Sequence, residues 1–176
     1  QNWVTAQGLD GKWYFGNNDG LLEYNGADWT IFPLPNKSVL RSIAIGKYGR
    51  IYVGGQSEFG YFLPNKAGDL TYRSLSESLD SSYSFADDVW KTYAIEGRIY
   101  FCTVRTIFIF ENDELINTID LYPNSSFLTF NVNNKLYVGD WQHGLLKVDG
   151  DTIVPVNGGS FYQQKNIFNI IRKDAT

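Results

Sequence analysis

His143 and Cys102 are the only histidine and cysteine in 176 residues, so little chemistry is open to this chain. A multi-histidine metal centre and an intrachain disulfide are both impossible. His143 lies in Asp140-Trp141-Gln142-His143-Gly144. A Ser-His-Asp triad would also need a positioned nucleophile. The nearest approach to one, Gly55-Gln56-Ser57-Glu58-Phe59, lacks the closing glycine of a nucleophile elbow, and the histidine reads as a solvated loop residue. Cys102 has no His or basic cluster beside it to activate the thiol and reads as a small buried hydrophobe. Asn17-Asn18-Asp19-Gly20 carries a single carboxylate, too few for a calcium loop. The acidic pairs in Asp87-Asp88 and Glu111-Asn112-Asp113-Glu114 read as solvated turns, since glycosidase carboxylates must face each other across a cleft. No catalytic residue, metal site or cofactor is expected.

The elements that position these residues follow from a repeat. The phrase turn, base, apolar, Tyr, apolar, small occurs as Gly11-Lys12-Trp13-Tyr14-Phe15-Gly16, Gly49-Arg50-Ile51-Tyr52-Val53-Gly54, Gly97-Arg98-Ile99-Tyr100-Phe101-Cys102 and Asn134-Lys135-Leu136-Tyr137-Val138-Gly139. Its starts are 38, 48 and 37 residues apart, close to the roughly 40–50 residues of a four-stranded propeller blade. A short strand precedes each phrase, and two more follow it across Asn, Asp and Gly turns suited to hairpins. No long window shows a helical apolar face, and the strands are rich in β-branched and aromatic residues.

The expected fold is therefore an all-β propeller of about four four-stranded antiparallel blades, innermost strand first. The blades are expected at approximately 3–42, 43–91, 92–129 and 130–166, with 167–176 as the first strand of a further blade. The serine-rich stretch 74–84 is the excess of the second unit and reads as a surface loop. Four units and one strand do not make an obviously closed ring, and an open stack exposes apolar blade faces. Either the ring is four-bladed or, as expected here, the propeller is incomplete, its other blades belonging to the same protein or to another copy of it.

In such a ring the turns between second and third strands share one rim. That rim gathers Asn18, Gln56, Glu58, Arg105, Asp140, Trp141 and His143. Amide, carboxylate, guanidinium and indole groups suit a glycan or other small polar ligand, with Trp141 and Arg105 the leading candidates.

Composition narrows the partners. Aromatics at 16% and charged residues at 19% describe a packed globular protein, unlike a disordered chain. A net charge of −4 lacks the basic field that nucleic acid requires. No run approaches the roughly 20 apolar residues of a membrane helix. A chain that begins at Gln1 reads as a processed or excised form.

The string Gly11-Lys12-Trp13-Tyr14-Phe15-Gly16-Asn17-Asn18-Asp19-Gly20-Leu21-Leu22-Glu23-Tyr24-Asn25-Gly26-Ala27-Asp28-Trp29, followed by Pro33-Leu34-Pro35-Asn36 and Gly54-Gly55-Gln56-Ser57-Glu58-Phe59-Gly60-Tyr61-Phe62, resembles the two-component-regulator propeller repeats of Bacteroidetes. The third unit departs from the pattern, with Cys102 for glycine and Thr106-Ile107 for Gly-Leu. The resemblance implies a periplasmic sensor segment of a membrane-anchored regulator, followed in that family by a triple-tyrosine domain, a membrane helix and a histidine kinase or LuxR-type DNA-binding output. It implies a non-enzymatic role in ligand recognition. The alternatives are a propeller-fold lyase or glycosidase and a protein-interaction scaffold.

Overall fold

The computed structural model describes residues 1–65, 68–79, 87–122 and 125–173. Lys66 and Ala67 of the second unit's turn, residues 80–84 of the serine-rich stretch and residues 174–176 lie outside the described residues.

Four antiparallel meanders account for the strands. Blade 1 comprises β1 (Asn2–Gln7), β2 (Trp13–Asn17), β3 (Gly20–Tyr24) and β4 (Trp29–Phe32); blade 2 comprises β5 (Leu40–Ile45), β6 (Ile51–Gly55), β7 (Phe59–Pro64) and β8 (Leu70–Ser74). Blade 3 holds β9 (Lys91–Ile95), β10 (Arg98–Cys102), β11 (Thr106–Glu111) and β12 (Glu114–Asp120); blade 4 holds β13 (Ser125–Val132), β14 (Lys135–Asp140), β15 (Gly144–Asp149) and β16 (Thr152–Pro155). The first strands lie side by side, β1 against β5, β5 against β9 and β9 against β13. They form the axis of an incomplete β-propeller.

Strand burial follows from a blade's place in the stack. Every residue of β6 is buried, because blade 2 has a neighbour on each face. Ile51 and Val53 pack towards Tyr14 and Leu21 of blade 1, whereas Tyr52, Phe59 and Tyr61 pack towards Phe101, Phe108 and Phe110 of blade 3. Cys102, Ile107 and Ile109 then meet Leu136, Val138 and Leu146 of blade 4. The period-2 alternation of a strand supplies both faces from one short sequence. In blade 1 the outward positions meet no second blade among the described residues: Trp13 is 43%, Trp29 56% and Ile31 44% exposed. Trp29 stacks on Tyr24 at 4.5 Å and lies 5.5 Å from Phe15, which leaves a continuous aromatic face open.

The glycine that closes three of the four repeated phrases is a socket for the chain that follows the blade. A Cβ on Gly16 would stand 2.7 Å from Leu40 Cδ2, and one on Gly54 would collide with Val89 Cγ1. On Gly139 the plug is Ile167, 3.5 Å from the same notional atom. Gly54→Ala is therefore expected to cost about 1–3 kcal/mol by overpacking, whereas Gly139→Ala meets only ordinary contact and leaves the melting temperature almost unchanged. Thermal unfolding of the two variants checks the contrast.

Residues 168–171, expected to open a further blade, form no strand. Ile167 nonetheless sits in its socket, while Phe168 and Ile171 are 76% and 82% exposed.

Asp113 also departs from its expected solvated turn. Its carboxylate accepts hydrogen bonds from Arg50 Nη1 (2.7 Å), Tyr61 Oη (2.8 Å) and Arg73 Nη1 (3.4 Å), a polar clasp across the interface of blades 2 and 3.

Candidate functional site

Strand register sets the entrances of the innermost strands beside the turns between second and third strands. Asn2 pairs with Asn17, Leu40 with Gly55 and Ser125 with Asp140. One face thus carries both sets of loops. At its centre two β-bulges re-aim side chains. Leu40 and Ser42 pair with consecutive residues, leaving Arg41 over; Trp3 is left over in the same way between Asn2 and Val4.

Arg41 is held between indoles. Its guanidinium carbon lies 4.6 Å from the ring centre of Trp3 and 4.5 Å from that of Trp90, so blades 1, 2 and 3 each contribute one layer of the sandwich. Arg41 Nε is 2.6 Å from Asp88 Oδ2, and both side chains are 16% exposed. Arg41 Nε and Nη1 are both buried and, among the described residues, neither makes a well-aligned hydrogen bond. Arg41 and Trp90 also line a cavity of about 370 Å³, together with Val4, Ser42, Lys91 and Thr92 among others. Across two of its walls, Ser42 Oγ and Thr92 Oγ1 share a 2.8 Å hydrogen bond, and Ser42 Oγ donates to the Val89 carbonyl.

The residues expected on the rim divide between this cluster and other sites. Asn18 joins it, its Oδ1 accepting the Trp3 indole N–H at 2.9 Å. Gln56 forms a single bridge with Asp88, and its carbonyl accepts the Asn36 amide. Arg105 is 80% exposed and pairs loosely with Asp87 at 3.6 Å, a contact of little energetic weight. Glu58 is engaged inside blade 2, where one buried carboxylate oxygen accepts hydroxyls from Tyr72, Ser74 and Ser76 at 2.7–2.9 Å. It fastens the outer strand to the following turn.

In blade 4, Asp140 is buried. Its Oδ1 accepts the backbone N–H groups of Gln142 (3.0 Å) and His143 (2.6 Å) and stands 2.6 Å from His143 Nδ1. The imidazole stacks on Tyr122 at 4.1 Å. His143 is thus an oriented ring and not a loose loop residue. Trp141 is 45% exposed, and its carbonyl accepts the Gln164 N–H.

Trp3, Arg41, Trp90 and Asp88 escaped the sequence reading as functional candidates. The available signal was their shared place at the entrance of an innermost strand, which a comparison of turns alone passes over. Asp88 is an ion-pair partner and not a solvated turn acid. Among the described residues, no three His, Cys, Asp or Glu side chains cluster as a metal site would require, and no helix is long and apolar enough to cross a membrane.

Burial pushes the Cys102 thiol up to about 12 from an ordinary 9.0. The phenols of Tyr14, Tyr72 and Tyr93 also rise above their ordinary 10.0, chiefly through burial. The folded protein therefore keeps these protons at pH values where the unfolded chain releases them. The resulting stabilisation is complete below pH 9.0 and is lost as pH rises towards about 12. Melting temperatures are expected to fall steadily above that onset, and Cys102→Ala is expected to delay the fall to the tyrosine range.

No family model matches the chain, and no curated protein matches it. Solved structures do. A WD40 β-propeller domain of Doa1 is 13% identical with a TM-score of 0.62, the match covering 88% of this chain and 57% of that one. The fold is a propeller. The extracellular domain of a protein described as a one-component system from B. thetaiotaomicron is 17% identical with a TM-score of 0.64, covering 88% of this chain and 21% of that one. A catalytically inactive virginiamycin B lyase from Staphylococcus aureus, solved with quinupristin, is 13% identical with a TM-score of 0.66, covering 93% and 55%. This propeller segment thus spans little more than half the length of the first and third, and about a fifth of the second.

Proposed function

We propose that this chain is a non-enzymatic recognition segment of an extracytoplasmic bacterial sensor, of the two-component or one-component type, and that its ligand is a glycan or other small polar molecule. The repeat resemblance and the likeness to an extracellular sensor domain support the role. The single observation that carries the placement is the Trp3–Arg41–Trp90 sandwich, whose Arg41 and Trp90 line a 370 Å³ cavity. Three blades converge there, and indole faces beside fixed polar groups suit stacking and hydrogen bonding to a polar ring. Arg105 and the Asp140, Trp141 and His143 turn extend the same face. The open aromatic face of blade 1 packs, in this reading, against a further blade from the same protein or another copy.

Saturation-transfer NMR with pools of oligosaccharides and peptides tests the proposal. A member that binds and is recovered unchanged supports recognition; no binding by any pool would sink the ligand role. The second reading, an enzyme, rests on the oriented His143–Asp140 pair and the lyase-like fold. Consumption of a pool member by the parent chain, abolished in His143→Ala, would replace the first reading with the second.

A further inference from the structure

We infer that the cavity at the channel mouth is an anion site, so that the ligand carries a carboxylate or sulfate group on a small ring. This deepens the proposed function and rests on the reading of that mouth as the ligand site.

Among the described residues, every charged side chain lining the cavity is a cation, Arg41 or Lys91, in a chain whose net charge is −4. Asp88 balances Arg41 from outside the lining. Lys91 has no ion-pair partner among the described residues, which leaves one positive charge uncompensated in a concave, partly apolar space. Arg41 is held rigidly by two indoles and one carboxylate. A guanidinium fixed before binding suits the oxygen of a carboxylate or sulfate, because little side-chain freedom remains to be lost. The cavity, about 370 Å³, has the size of a single substituted ring, and Trp90 offers that ring an apolar wall.

The test is a titration of the ¹⁵N-labelled chain with D-glucuronate, inorganic sulfate and D-glucose, at constant ionic strength set with chloride. The indole N–H signals of Trp3 and Trp90 and the Arg41 Nε–H are followed. Saturable shifts with glucuronate, absent with glucose, are expected, and Lys91→Gln is expected to weaken the binding about tenfold through loss of a charge-assisted contact. If sulfate reproduces the response, the anion alone suffices; if only glucuronate does, the ring contributes. Saturable shifts with glucose of equal strength, or an affinity for glucuronate that Lys91→Gln leaves intact, would overturn the anion site while leaving ligand recognition at the mouth standing. Binding of a pool member that moves none of these three signals would overturn the placement of the ligand site as well.

Discussion

Phe59→Ala is expected to lower stability by about 3–5 kcal/mol, the range for removing a large aromatic from a packed core. Phe59 is fully buried. Its ring stacks on Phe101 at 4.4 Å and meets Phe108 at 5.4 Å and Phe110 at 5.6 Å, so truncation empties the centre of the interface between blades 2 and 3. At roughly 2–4 °C per kcal/mol for a chain of this size, the melting temperature should fall by about 10 °C. Phe168→Ala is the control. That ring is 76% exposed, and its removal is expected to change stability by no more than about 0.5 kcal/mol. Equal melting temperatures for the two variants would mean that the blades do not pack as described.

Arg41→Ala is expected to cost about 3 kcal/mol, within the range for removing one partner of a largely buried ion pair. Asp88 would lose the cation 2.6 Å from its carboxylate, and both groups are only 16% exposed. The indoles of Trp3 and Trp90 would lose the guanidinium held between them. Because the three layers belong to three blades, the loss should appear as a lower denaturant midpoint for the whole transition. Arg105→Ala provides the comparison: its side chain is 80% exposed and pairs with Asp87 at 3.6 Å, so the midpoint should barely move.

Much of the fold was legible in the sequence because a propeller repeats its constraints. The slot shared by Gly16, Gly54, Cys102 and Gly139 marked each unit, and the structure shows its cause in the sockets filled by Leu40, Val89 and Ile167. The Tyr14, Tyr52, Tyr100 and Tyr137 slot likewise falls within each second strand. The candidate site was less legible, since its residues are joined through space. Nothing in the spacing of Trp3, Arg41 and Trp90 announces a sandwich, because bulges at Trp3 and Arg41 shift those side chains out of the regular alternation. Glu58 could not be separated from the rim by position alone. Its hydroxyl partners come from β7's neighbour β8 and the turn beyond it. Asp113 was concealed for a similar reason, since its partners Arg50, Tyr61 and Arg73 all belong to the preceding blade.

The mouth of the innermost strands as the recognition surface is tested most directly by calorimetry. The glycan or peptide that binds the parent chain would be titrated into folded Trp90→Ala and Trp141→Ala, with circular dichroism confirming the fold of each. Loss of a stacking wall worth about 1.4 kcal/mol corresponds to a tenfold rise in Kd, and that is the result predicted for Trp90→Ala, since Trp90 lines the cavity, with Trp141→Ala changing Kd by less than about twofold. Unchanged affinity in Trp90→Ala, with binding lost in Trp141→Ala, would contradict the account and move the site to the turn of blade 4.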